Sequence, residues 1–434
     1  MNNFSDYTIG LSELIQKLKS NKNIDVKYKV LIEPALNGDA AKSLRNSLDL
    51  KERQALGAFF TSTELSQRLL RPYSDILKNN LSIIDPSCGA GSLLLAASSF
   101  LPLQNTLSKT LIEWGKILHG VDVVPQFILA LKYRLVLEAM QRHNSYCDFD
   151  TINQDELFPN ITINDGIEYL SKVNRRSLYV LNPPYYHQVH KASWGRGKIS
   201  MAAIFLSECI EKAESGSQIA AILPDVLRTG SRYEKWRNHI TSMAAVSSIE
   251  VVGKFDDYAD VDVFIIHLTK RSQKVNNSNY NWLCSVLIDS TSQTIGDLFQ
   301  VSVGTVVPHR DPEIGEEYPY IHSRLLPSGG EVNVNYLDSK IKFYKRVFLP
   351  PFLTVRRTSS SRDKERAVVT LVLGDSPVAV ENHLLVLKPY KGGIKICKEA
   401  MKLLINEKTN VWLNHRIRCR HLTVGSVRDI PWWN

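Results

Sequence analysis

The chain has 434 residues and a formal net charge of +9, from 53 Lys+Arg against 44 Asp+Glu. At 44% hydrophobic and 22% charged residues it reads as a globular protein too long for one compact core, so two domains are expected. The start MNNFSDYTIG lacks the regions of a signal peptide, and no run of roughly 18 apolar residues is present, which sets aside secreted and membrane-spanning classes in favour of a cytoplasmic protein.

From Asn3 to about Leu50 the pattern is helical and carries no recognisable chemistry, giving an N-terminal helical segment over 1–50. Over 51–275 short apolar runs alternate with amphipathic stretches. Ser82–Asp85, His119–Asp122, Ser177–Leu181, Gln218–Leu223, Ser247–Val252 and Val261–Leu268 read as strands, the last two as an edge hairpin. Ser92–Phe100, Gln126–Gln141 and Met201–Ala213 read as helices. Such alternation is the pattern of an α/β domain with a largely parallel sheet. The polar stretch Ser272–Asn281 reads as a linker, and a second domain spans 282–434. The cysteines at 88, 147, 209, 284, 397 and 419 make no Cys-x-x-Cys pair and no zinc spacing, so reduced structural thiols and no metal site are expected.

The sharpest glycine motif is IIDPSCGAGSLLLAA, Ile83 to Ala97. A buried strand ends at Asp85, a tight turn follows through Pro86, Gly89 and Gly91, and a helix begins near Ser92. Glycines there let the backbone approach a ligand and permit positive φ. An acidic strand end would repel a pyrophosphate, yet it suits the ammonium group of an amino acid. The next strand ends at Asp122, where a carboxylate can accept from both hydroxyls of a ribose or cap the following helix. Asp165, in TINDGIEYL, is the candidate partner for an adenine amino group, with Asp155, in NQDELF, as its rival.

The strand Ser177–Leu181 runs directly into Asn182-Pro183-Pro184-Tyr185. An aromatic amine is a poor nucleophile because its lone pair is delocalised into the ring. Two acceptors, the Asn182 side-chain oxygen and the Pro183 carbonyl, can draw such an amine towards tetrahedral geometry, and the prolines keep them fixed. The lone pair then points at the methyl group of a sulfonium. Tyr185 can stack on a base rotated out of a helix.

With GAFFTS (Gly57–Ser62), DPSCGAG, GVD and NPPY in this order, residues 57–268 resemble the γ class of DNA adenine-N6 methyltransferases of restriction–modification systems. The resemblance implies a Rossmann-like class I methyltransferase domain with a mixed sheet, followed by a C-terminal α+β DNA-recognition domain. It further implies S-adenosyl-L-methionine as cofactor, double-stranded DNA as partner and a flipped adenine as target. The segment from Gly57 to Thr61 is expected to close over the methionine part of the cofactor, although the family's Thr-Pro is Thr61-Ser62 here. Phe255 falls where the family tends to place a second aromatic against the flipped base, and it reads equally as a packed hairpin residue. Asn-Pro-Pro-Tyr also occurs in methyltransferases acting on protein glutamine or RNA, which are the rival acceptors. A catalytically silent nucleic-acid-binding subunit is the rival of another class. A monomer is the default state, and any companion restriction endonuclease is expected on a separate chain.

Three basic stretches suit DNA. HQVHKASWGRGK, His187 to Lys198, reads as a mobile loop whose Lys191, Arg196 and Lys198 contact phosphates. FLTVRRTSSSRDKER carries Arg356, Arg357 and Arg362 among hydroxyl residues, suited to guanine and phosphate contacts. NHRIRCRHLTVGS places Arg416, Arg418 and Arg420 on one face if the segment is extended.

Overall fold

Short apolar runs form the central sheet, buried on both faces in β1 (Ile83–Asp85), β2 (Leu118–Asp122) and β4 (Leu178–Leu181) and partly exposed in the edge strand β3 (Ile161–Ile163). After a two-stranded ribbon, β5 (His187–Ala192) and β6 (Gly195–Ser200), the sheet continues with β7 (Gln218–Pro224), β8 (Ala244–Lys254) and β9 (Asp262–Lys270). The strand order is β3-β2-β1-β4-β7-β9-β8, parallel throughout except for β9, which runs antiparallel to both of its neighbours. The hairpin read from the sequence therefore places β8, not β9, at the edge. The computed structural model describes residues 2–20, 26–48, 60–79, 81–144, 154–255, 261–275, 280–283, 293–359, 364–418 and 421–433. Two compact units divide the chain, Met1–Tyr280 and Asn281–Asn434.

The first unit includes the N-terminal helices α1 (Asn2–Ser20), α2 (Val26–Leu36) and α3 (Asp39–Ser47). Helices α4 (Thr63–Leu70), α5 (Ser92–Ser98), α6 (Leu107–Ile117) and α7 (Pro125–His143) follow. Phe4, Leu11, Ile15 and Leu18 of α1 share one buried core with Phe127, Leu131 and Leu135 of α7. The join is polar as well as apolar. Arg134 of α7 is buried, and its guanidinium donates to the carbonyls of Ala35 and Leu36 at the end of α2 and of Ala90 in the glycine turn. One side chain thereby supplies donors to helix-end and turn carbonyls away from water, sharing the Ala35 carbonyl with the Tyr7 hydroxyl at 3.1 Å.

In the second unit a five-stranded sheet has the order β10-β17-β14-β15-β12. Its strands are β10 (Phe299–Val303), β12 (Gly330–Asn333), β14 (Phe352–Arg356), β15 (Val369–Leu373) and β17 (Leu384–Pro389). A three-stranded sheet joins β11 (Glu316–Ile321) to β13 (Lys340–Phe343) and β16 (Ala379–Val380). Leu353, Leu371, Leu385 and Leu387 face a core shared with Leu403 and Leu413 of two C-terminal helices, Gly393–Leu404 and Glu407–Arg416. Phe352, Val372 and Val386 face the opposite core, which explains why these strands are continuously apolar. Among the described residues no helix is long and apolar enough to cross a membrane.

Replacing Arg134 by Met removes three donated hydrogen bonds, with only the Ala35 carbonyl keeping a second donor, the Tyr7 hydroxyl. The expected loss is about 3 kcal/mol of stability, measurable as a lower midpoint in urea unfolding.

Candidate active site

The sheet reverses its winding direction between β1 and β4, and ligands of open α/β sheets bind outside the carboxyl ends at such a switch. Asp85 closes β1, Asp122 closes β2, Asp165 follows β3, and Asn182 follows β4. All four line one cavity, together with Thr61, Pro86, Gly89, Pro184 and Tyr186. Strand alignment alone brings together residues nearly a hundred positions apart.

The glycine turn is shaped by close packing. Gly91 has φ of +83°, and a Cβ there would lie 2.1 Å from Leu131 Cδ1. Gly166, directly after Asp165, packs so tightly that a Cβ would lie 1.7 Å from the Pro86 carbonyl oxygen. These two contacts bring the loop after β3 and the turn after β1 onto the same cavity.

Asp85 is buried, and its Oδ1 accepts from the Ser87 N–H at 3.1 Å. Desolvation pushes its carboxyl up to about 8, opposed by the Ser87 N–H and reinforced by the nearby Asp122. Asp122 is half-buried and also raised by burial. Its Oδ2 accepts from Gly89 N–H at 2.9 Å and its Oδ1 from Val124 N–H at 3.0 Å, so it bolts the glycine turn to the end of β2. Both readings of Asp122, ligand carboxylate and structural cap, are therefore compatible with its place. Asp165 caps the helix Gly166–Leu170 through Oδ1 alone, accepting from Ile167 and Glu168. Its rival Asp155 pairs with Lys132 and lines a different cavity, so only Asp165 shares the space of Asp85. Val123 and Ile167, each next to one of these carboxylates, give that space apolar walls. No sequence signal beyond adjacency marked them.

In the NPPY turn, the Asn182 carboxamide donates from Nδ2 to Thr61 Oγ1 at 2.9 Å, and the Tyr185 hydroxyl donates to Asn182 Oδ1 at 2.7 Å. Pro183 is buried. The Tyr185 ring meets Phe255 edge-on, with centroids 6.0 Å apart and planes at 80°. Phe255 is thus both a packed hairpin residue and a neighbour of Tyr185. Gly57 lies outside the described residues.

Beyond Tyr185 the chain forms an antiparallel ribbon in place of the expected mobile loop. Lys191 pairs with Arg196 and Val189 with Lys198. Trp194 at the turn is buried beside the rings of His190 and His239, and Ile199 is buried too, which holds one face down. The other face exposes His187, Val189, Lys191, Arg196 and Lys198. At its base the Met201 N–H donates to the Tyr186 carbonyl, and both residues line the cavity.

The arginine runs of the second unit are corrected by their surroundings. Arg356 donates to the Leu326 carbonyl and Arg357 to the Asn382 carbonyl, and the Nε of each is buried. Arg366 is fully buried. Arg416 ends a helix, where it pairs with Asp429 at 2.7 Å, so it does not alternate with Arg418 along an extended strand. Arg362 and Arg420 lie outside the described residues. The fold takes up much of this basic run for its own carbonyls and carboxylates.

A sheet with this order, with three carboxylates and an Asn-Pro-Pro-Tyr turn at its carboxyl edge, is that of a Rossmann-like methyltransferase. The profile of the N-6 DNA methylase family matches residues 38–283. The chain belongs to that family, the adenine-N6 DNA methyltransferases of restriction–modification systems. It is 21% identical to the modification methylase CviBIII of Paramecium bursaria Chlorella virus NC1A, over 89% of this chain and 96% of that protein. It is 23% identical to the type II methyltransferase M.BsuBI of Bacillus subtilis, over 46% of this chain and 40% of the other. Among solved structures, the type IIL restriction–modification enzyme MmeI in complex with DNA shares the fold, with a TM-score of 0.56 at 13% identity over 91% of this chain and 70% of that one.

The raised Asp85 carboxyl has a cost that can be measured. Its folded pKa lies above the unfolded value, so the native state holds the proton more tightly and stability falls as pH rises from about 4 through about 8. Asp85→Asn should therefore melt above the wild type at pH 9 when no ligand is present, with the gap closing at pH 4. A lower melting temperature for the variant at both pH values would contradict this.

Proposed function

We propose that the chain transfers a methyl group from S-adenosyl-L-methionine to N6 of an adenine flipped out of duplex DNA. The observation that carries the reading is the convergence of Asp85, Asp122, Asp165 and Asn182 on one cavity. Those residues fit the cofactor: a buried carboxylate with a raised pKa calls for a cation, and the α-ammonium group is one. Asp85 would pair with it, Asp122 would accept from the ribose hydroxyls through its remaining lone pairs, and Asp165 would take the adenine amino group between Val123 and Ile167. When bound, the cofactor supplies an activated methyl group.

The remaining work falls to the NPPY turn. Asn182 Oδ1 and the Pro183 carbonyl accept from the target amine, reduce the conjugation of its lone pair and aim it. No side-chain nucleophile is required. Tyr185 stacks on the extruded base, with Phe255 beside it to limit where that base can settle. The exposed face of the β5–β6 ribbon, rooted at the cavity by Tyr186 and Met201, sets Lys191, Arg196 and Lys198 against the phosphates near the flipped nucleotide. The second unit would read the sequence, and a companion endonuclease on another chain is the partner this reading implies.

Two experiments test it. Labelled S-adenosylmethionine and unmethylated duplex DNA should yield N6-methyladenine on nucleoside digestion. Asn182→Ala should keep cofactor affinity while losing at least about a hundredfold in methyl transfer, as when an oxyanion-hole donor is removed. Normal turnover by that variant would refute the assignment. Separately, the combined change of Lys191, Arg196 and Lys198 to Ala should weaken DNA binding on all sequences alike. The slope of log affinity against log salt should become shallower by about 1 for each phosphate that is no longer neutralised. An unchanged slope would remove the ribbon from the interface.

A further inference from the structure

The outer face of the β5–β6 ribbon is a set of basic side chains with one exception at its centre. Val189 is 80% exposed. Lys198 stands directly across from it, and Lys191 opposite Arg196 is the next pair along the same face. Cross-strand partners lie about 5 Å apart and same-face neighbours within a strand about 7 Å apart, so cations surround one apolar side chain. Among the described residues no ion pair takes up Lys191, Arg196 or Lys198. A single exposed valine is ordinary on a protein surface, and valine suits a strand. Threonine would serve the strand as well, and a face meant for phosphates alone gains nothing from a group that neither carries charge nor donates a hydrogen bond. An apolar group among cations has a use where the polyanion itself has apolar parts, as a nucleic acid has in the faces of its bases.

Position and rigidity suit Val189 to meet such a face. Tyr186 lines the cavity, and Val189 follows three residues later in extended chain, about 10 Å away. A base drawn into that cavity leaves its gap in the stack beside the cavity mouth. The ribbon is also held along its whole length. At the tip, Trp194 lies between the rings of His190 and His239, with centroids 6.5 and 6.3 Å away. In the middle, the Arg232 guanidinium donates to the Lys198 carbonyl, directly across from Val189. At the base, the Ser200 N–H donates to the Tyr233 hydroxyl at 3.3 Å and the Met201 N–H to the Tyr186 carbonyl at 2.9 Å. The valine side chain is itself stiff, because its branch at Cβ restricts χ1. A short apolar group on a backbone so fixed can press against stacked bases without being pushed aside.

We propose that Val189 is a wedge: it enters the gap left in the duplex by the extruded adenine and opposes the return of that base, while Lys191, Arg196 and Lys198 hold the phosphates around it. The inference rests on the function proposed above. Val189→Ser removes the apolar surface and Val189→Ile extends it, and at 80% exposure neither change disturbs a core. With saturating cofactor and fully paired DNA, the single-turnover rate should fall about tenfold in the Ser variant and stay within about twofold of wild type in the Ile variant. Fluorescence of 2-aminopurine at the mapped target position should fall with the rate. On a duplex with an abasic site opposite the target, extrusion costs less, and the Ser variant should come within about twofold of wild type. The slope of log affinity against log salt should be equal in all three proteins, because no phosphate contact has changed. The proposal is overturned if the Ser variant flips and methylates paired DNA as the wild type does. It is equally overturned if the defect is as large on the abasic duplex, or if the salt slope changes. A wild-type chain that methylates no DNA would instead sink the underlying reading, an outcome distinct from any difference among these variants.

Discussion

The first unit is organised around a carboxylate kept out of water. Asp85 stands buried at the end of β1, its charge opposed by desolvation and by a second carboxylate at the end of β2. A protein built for stability alone would place an apolar residue there. The main chain around Asp85 gives it one N–H, from Ser87, and commits two others, from Gly89 and Val124, to Asp122. The result is a desolvated carboxyl with few donors, whose ionised form a nearby cation would stabilise.

That arrangement depends on packing some distance from any ligand. The glycine turn is pressed onto α7 at Gly91 and Leu131, and its Ala90 carbonyl is held by Arg134. The loop carrying Asp165 reaches the cavity because Gly166 lets it lie directly on the Pro86 carbonyl. From the other side, Phe60 and Thr61 enter on a turn anchored to α2 and α4. The glycine turn, the turn at Asn182 and the N-terminal helices are therefore joined by short polar contacts.

Much of this was legible in the sequence, for identifiable reasons. The strand ending at buried Asp85 and the turn at Asn182 carry residue types that make little sense as structure alone, whereas Asp122 reads as ligand carboxylate or cap alike. The three-residue β3 is too short to leave a pattern. The ribbon was hidden because its exposed face carries Val189 among the cations, while its anchors, Trp194 and Ile199, lie in a stretch that otherwise reads as loop. The arginines at 356, 357 and 416 misled because their partners, the Leu326 and Asn382 carbonyls and Asp429, lie 13 to 30 residues away in sequence. An arginine's destination is a tertiary property, and composition cannot distinguish a surface cation from one that stitches a fold together.

The bonds from Arg134 to Ala35 and Leu36 span 99 and 98 residues. During synthesis α1 and α2 therefore leave the ribosome long before α7 exists to receive them. Their apolar faces must wait through the making of β1, the glycine turn and β2. At a translation rate of about 5–20 residues per second, that wait is on the order of 5–20 seconds. The glycine turn and the end of α2 thus share a donor, Arg134, that arrives only with α7, so their junction closes through a long loop rather than by local folding.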